Sequence, residues 1–496
     1  MEESKQPIAR DALWTLAGAL AMGVLGDVWL RATPGMNVVL WTSALVGMAA
    51  LLARRQGGGI GAGRGLALPA LFFAAAFAWR DSPTLRALDA LALLVCLGLA
   101  AGAAAREGRL ARAGFLDYAR DVLASGARSA FGGLRLTFGD IRWRELPRGG
   151  ETARRLTSVG VGVAVALPLL LVFGGLFASA DPVFRRLVQK AFAWDFDDLL
   201  GHLEWTTLGA LLVGGFLRGL FWGTAAREYR RPAFLALGAV EMGVALGLLD
   251  LLFLAFVLVQ LRYFFGGARL VQATTGLTYA QYARGGFFEL VAVAALVLPL
   301  LLTLHGLFRS ESPRGARLFR ALAGLQVGLL FVIMASATQR MRLYQGEYGQ
   351  TELRLYVTAF MAWLALVFVW FVLTVLRGRR ERFAFGALLS AFGMIALLHA
   401  LNPDAAIVRA NAALARAGRP FDVDYALSLS ADAVPALLAA RPALPPPQAQ
   451  AVTARLAAAW TPPRNPDWRS WNWSRVGAWR LAAGTRDKGT PVARAK

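Results

Sequence analysis

Arg218, Glu241 and Asp250 are charged side chains inside long apolar runs. An ionisable group in such a run is costly and marks a functional position by default. Arg218 belongs to the run 206–226 and Glu241 to the run 234–261, and the short loop 227–233 makes the two antiparallel neighbours. Counted from that loop, Arg218 is eight residues deep and Glu241 seven, roughly 12 and 10 Å at the helical rise. Their heads are expected to meet at matched depth. Such a pair is either a gate that works by breaking or a fixed ion pair that neutralises two buried charges. Asp250 lies nine residues beyond Glu241, about half a turn round the helix, with no partner visible in the sequence. It is the better candidate for a group that takes a proton or touches a cation. Asp27, near the end of the first run, is a weaker one.

A second set of polar residues clusters in three loops between apolar runs. It comprises Asp181 in the first loop, Tyr263, Tyr279, Arg284 and Glu289 in the second, and Arg340, Tyr344, Tyr348 and Arg354 in the third. Arg, Tyr and carboxylates together suit an outer vestibule for a lipid headgroup, a glycan or a peptide. The alternative is a self-satisfied polar cap that closes the bundle. No two carboxylates can be assigned acid and base roles by spacing. No P-loop, nucleophile elbow, HExxH or CxxC pattern is present. The three histidines, His202, His305 and His399, are far apart in sequence. No catalytic residue, cofactor or metal is therefore expected.

The elements that must position these residues are membrane spans. Of 496 residues, 57% are hydrophobic and only 17% charged, well below the charged share of a soluble protein. Spanning the hydrocarbon takes about 20 apolar residues. Eleven runs qualify, with a range of ten to twelve: 12–30, 37–53, 66–79, 87–105, 156–178, 206–226, 234–261, 287–308, 318–337, 353–376 and 383–401. The expected fold is all-α, a polytopic transmembrane helical bundle with a small helical C-terminal segment. The net charge of +22 sits between the apolar runs, as in membrane loops rather than a nucleic-acid-binding surface. With the N-terminus inside, the inner loops carry 27 Lys and Arg and the outer loops 11. The positive-inside rule then orients the chain with a cytoplasmic N-terminus and an extracytoplasmic C-terminal segment.

The expected organisation has five parts. Residues 1–105 hold four spans, and 106–155 form a basic cytoplasmic loop with an amphipathic stretch from Gly114 to Leu123. Residues 156–401 form a seven-span core, 402–460 a helical segment, and 461–496 a tail rich in Trp and Arg. The basic loop reads first as an ordinary positive-inside loop, and otherwise suits anionic lipid headgroups or a membrane or signalling protein partner. The tail suits a membrane interface, where an amphipathic ring meets headgroups. Lone Cys96 lies in an apolar run and forms no intramolecular disulfide.

Five sequence elements carry a family resemblance. They are Ser179-Ala180-Asp181-Pro182-Val183-Phe184, Arg262 to Gly267, Gly276 to Leu290, Arg340 to Tyr344 with Tyr348-Gly349 and Leu353 to Tyr356, and Asn402-Pro403-Asp404 with Asn411, Asp424-Tyr425 and Asp432 to Leu437. With these the chain resembles bacterial polytopic membrane proteins catalogued as a domain of unknown function, the 4173/4153-like group, over roughly 156–475. The resemblance implies an integral protein of the bacterial inner membrane and supplies no activity or catalytic residue. The leading expectation is a permease-like or solute-binding membrane protein. The rivals are a non-enzymatic signalling or assembly subunit of the cell envelope, and an envelope enzyme acting on a lipid-linked substrate.

Overall fold

The computed structural model describes residues 9–57, 61–105, 114–141, 143, 196–223, 237–275, 287–308 and 313–487, with scattered positions between 162 and 186; for 261–275 it describes the backbone alone. The named elements are all helical. The bundle contains α1 (Ala9–Leu30), α2 (Met36–Arg55), α3 (Ala67–Trp79), α4 (Pro83–Ala105), α5 (Phe115–Arg135), α6 (Phe196–Trp222), α7 (Ala239–Thr275), α8 (Phe287–Leu307), α9 (Pro313–Tyr348), α10 (Glu352–Thr374) and α11 (Phe383–Leu401). The C-terminal segment holds α12 (Pro403–Arg416), α13 (Val423–Ser428), α14 (Val434–Ala440), α15 (Pro446–Ala459) and α16 (Trp473–Asp487).

Eight described helices are long and apolar enough to cross a membrane: α1, α2, α4, α7, α8, α9, α10 and α11. The apolar stretch Gly63–Trp79 is shorter. Of the expected span 156–178 only 162, 166, 170 and the helical stretch 173–178 are described, and 206–226 falls on α6, whose glycines and Arg218 lower its hydropathy. Large apolar side chains remain exposed along the outer faces, among them Leu248, Leu251 and Leu252 on α7 and Leu389 and Leu397 on α11. In water that surface would be unstable. In lipid it is the ordinary exterior of a bundle.

Small residues let the helices approach closely, as helix packing in lipid requires. A Cβ on Gly23 of α1 would lie 2.5 Å from the Thr206 carbonyl of α6, and one on Gly133 would collide with the Leu211 carbonyl. This contact shapes α5. The sequence expects an amphipathic stretch at 114–123. The structure has a longer helix whose polar residues Asp121 and Ser125 are buried and whose Leu123 and Phe131 point outward. The inward face packs on α4 and α6, so the exposed face of α5 is the more apolar one.

Two cores hold the rest. One joins α7, α8, α9 and α10 around Leu246, Leu301, Leu330 and Phe368. The other lies within the C-terminal segment, built from Ile407, Val408, Val434, Leu437 and Val452 with Leu355 and Leu398 from the bundle. Asn402 makes the turn between them. It sits in the left-handed region (φ 54°), ends α11, and caps α12 by accepting the Ala405 N–H, with Pro403 in the first turn. Pro435 lies in the first turn of α14, where its missing N–H costs no helical bond.

The C-terminal segment packs on one end of the bundle, called the docking face below. Trp471 accepts the Met36 N–H, Asp432 reaches the loop 80–82, and Asn411 bonds both backbone polar groups of Gln350.

Candidate functional site

The intramembrane charges do not pair as the sequence suggests. Arg218 makes a two-pronged contact with Asp140, through Nε to Oδ2 and through Nη2 to Oδ1 at 3.1 Å. Glu241 is exposed in the first turn of α7 and does not touch it. Asp140 wins because the π-helical turn 136–140 that follows α5 lies directly against α6. Asp27, 6% exposed, binds the His202 ring at 2.6 Å.

Asp250 is a different case. It is buried in α7, and neither carboxylate oxygen has a hydrogen-bond partner among the described residues. It faces α9, and the register of that interface can be read from two contacts. Gly243 packs on Leu318, and Ser336 donates to Gln260 at 3.0 Å. The offsets are 75 and 76 residues, and both helices run the same way. Asp250 is therefore level with Gln326, which is fully buried and also unpartnered at both amide atoms. Ten residues nearer the docking face, about 15 Å at the helical rise, Gln260 accepts from Ser336 and from Arg340 Nη2 at 2.7 Å. The seam between α7 and α9 thus has two polar levels, separated by the apolar residues 251–259 and 327–335.

Above the seam, part of the expected vestibule assembles at the turn between α9 and α10. The Arg354 guanidinium lies 4.3 Å over the Tyr344 ring, and Tyr344 packs on Tyr348 at 4.9 Å. Arg354 also donates to the Tyr348 and Gly349 carbonyls. Asp181 turns back on its own chain, accepting the Val183 N–H, and Glu289 is exposed at the start of α8. Tyr279 and Arg284 lie outside the described residues, as does the Tyr263 side chain.

The densest polar cluster was not among the expected sites. Asp432, 2% exposed, accepts the Asp81 N–H at 2.7 Å, the Ser82 N–H at 2.9 Å and the Ser474 hydroxyl at 2.5 Å, with Arg80 at 3.4 Å. Arg80 also donates twice to the His399 carbonyl. Arg86 and Arg475 both reach Asp81. Asn472 donates to the Phe77 and Arg80 carbonyls. Beneath this junction, His399 on α11 binds Asp89 on α4 at 2.8 Å, both fully buried, with Trp79 stacked on the imidazole. Asp404 accepts twice from Ser430, and burial, followed by the charges of Glu352 and Asp432, pushes its carboxyl up to about 6 against those hydrogen bonds. The residues in this junction are hundreds apart in sequence. Asp89 inside a span was the signal available beforehand. Asp432 carried none beyond its place in the family resemblance.

Fold and site define a polytopic α-helical integral membrane protein with buried polar groups between its spans. Over residues 67–440 the chain matches the family model described as Domain of unknown function (DUF4153), and it belongs to that family. The match starts before the resemblance at 156 and takes in the 80–82 turn and Asp432. No curated protein and no solved structure matches the chain.

Proposed function

We propose that the protein is a permease-like membrane protein of the bacterial inner membrane that binds a polar solute on its docking face. The observation that carries this reading is the pair of buried polar levels between α7 and α9, Arg340, Ser336 and Gln260 near the docking face and Asp250 with Gln326 about 15 Å deeper, within an apolar core. Polar groups at that depth are retained where something polar passes or binds. The Arg354, Tyr344 and Tyr348 group sits at the mouth, where a cation and two rings suit an anionic or ring-bearing solute.

On this reading the docking face is outward. The turns at 31–35, 80–82 and 349–351 and Asn402 all contact the C-terminal segment. Arg54, Arg55, Arg64, Arg377, Arg379 and Arg380 lie in turns at the other end. The positive-inside rule puts those basic turns, and the N-terminus, in the cytoplasm. The assembly-subunit reading is weaker, because α5 turns its buried polar face to the bundle rather than to a partner.

The test is uptake of labelled amino acids, sugars and phosphate esters into proteoliposomes. The reading expects at least one solute above empty liposomes, with the signal lost in Asp250→Asn. Equal uptake by wild type and Asp250→Asn would overturn it.

A further inference from the structure

We propose that Asp250 and Gln326 form an intramembrane site for a single monovalent cation, taken up as a proton or as a sodium ion. The argument begins with charge. A carboxylate in a span is tolerated only with a neutralising partner, and Asp250, 4% exposed, has none on either oxygen among the described residues. At its depth the described parts of α7, α8 and α9 carry no other charged group. The charged and titratable groups further along these helices are Glu241 on α7, Glu289 and His305 on α8, and Arg314, Arg317, Arg320, Arg340, Arg342, Tyr344, Glu347 and Tyr348 on α9. One carboxylate is neutralised by one positive charge, whereas a divalent ion would leave an uncompensated charge in the hydrocarbon.

The donor set fits the same ligand. Gln326 is fully buried and level with Asp250, and its free amide carbonyl and N–H₂ suit either form. The two side chains make no hydrogen bond in this structure; with a proton on Asp250, closing the site turns the acid O–H onto the Gln326 carbonyl. With sodium, two carboxylate oxygens and that carbonyl supply hard oxygen ligands. The same depth of α8 contains Pro299, which has no N–H, so the Ala295 carbonyl lacks its helical bond. The position of α8 follows from its end, where His305 packs on Phe319 at 5.1 Å.

The proposal deepens the permease reading and rests on it for the ion's role. Occupancy is an equilibrium property, so the two can fail separately. The experiment treats native membranes with dicyclohexylcarbodiimide, which adds to protonated carboxyls in apolar surroundings, and locates the adduct by peptide mass spectrometry. It compares sodium chloride with choline chloride across a pH series. Labelling is expected at Asp250, falling about tenfold per pH unit above its midpoint. It is also expected to be absent in Asp250→Asn and to have a moved midpoint in Gln326→Leu. Slower labelling in sodium identifies the alkali ion as a ligand, and equal labelling in both salts identifies the proton. No adduct at Asp250, labelling independent of pH, or an unmoved midpoint in Gln326→Leu overturns the site, whatever the uptake assay shows.

Discussion

Replacing Asp432 by Ala should release the C-terminal segment from the bundle. The carboxylate satisfies two backbone N–H groups of the 80–82 turn, the Ser474 hydroxyl and the charge of Arg80, all in a buried setting. Hydrogen bonds to a charged acceptor are each worth about 1.5–3 kcal/mol and do not add simply. Removing one partner of a buried ion pair costs about 3–5 kcal/mol, because the other charge stays behind. A net loss of about 4 kcal/mol multiplies the undocked fraction by roughly a thousand. Arg475 reports that state: its guanidinium is held by Asp81, the Ser470 carbonyl and the Pro34 carbonyl. When opening is fast relative to cutting, the tryptic rate at Arg475 follows the open population. Asp432→Asn keeps an acceptor for the amides but turns an N–H₂ on Arg80 or Ser474, so it should fall between wild type and Ala. A tryptic rate at Arg475 in Asp432→Ala within about threefold of wild type would refute the reasoning, since surface substitutions alone produce changes that small.

The same junction should respond to pH through Asp404. Burial raises its carboxyl from 3.8 to about 6, so the docked state favours the protonated form. That contribution is fully present below pH 3.8 and is lost as pH rises through 6, and it corresponds to about 3 kcal/mol. Asp404→Asn should flatten the pH dependence of Arg475 cleavage across this window, and an unchanged profile would assign the dependence to another group. Arg218→Leu leaves Asp140 uncompensated and should cost about 3–5 kcal/mol, read as a lowered melting temperature in detergent. Adding Asp140→Leu should recover most of that loss. A double variant no more stable than the single would show that the pair contributes little beyond its packing.

Much of the architecture was legible in the chain. Apolar runs long enough to span hydrocarbon are a local property, and the helices α1, α2, α4 and α7 to α11 sit where the runs predict. The Asn402-Pro403 junction was legible too, since a capping side chain followed by proline defines a helix start wherever it occurs. Asp250 stood out for the same reason: a lone carboxylate in an apolar run needs no neighbour to be noticed.

Pairing was not legible, because it depends on which helices touch. Depth matching gave Arg218 a plausible partner in Glu241, but depth is shared by every helix of a bundle, and the close glycine contact of α5 with α6 brings Asp140 to it instead. The amphipathic stretch at 114–123 was visible, but which face turned inward depended on whether its surroundings were water or lipid. The level of Gln326 with Asp250 required the parallel register of α7 and α9, set by contacts 75 and 76 residues apart. The junction at Asp432 joins residues some 350 positions away. Hydrophobicity is carried residue by residue, so the sequence alone determined the spans. The partner of a buried charge is decided by long-range packing, and only the tertiary structure supplied it.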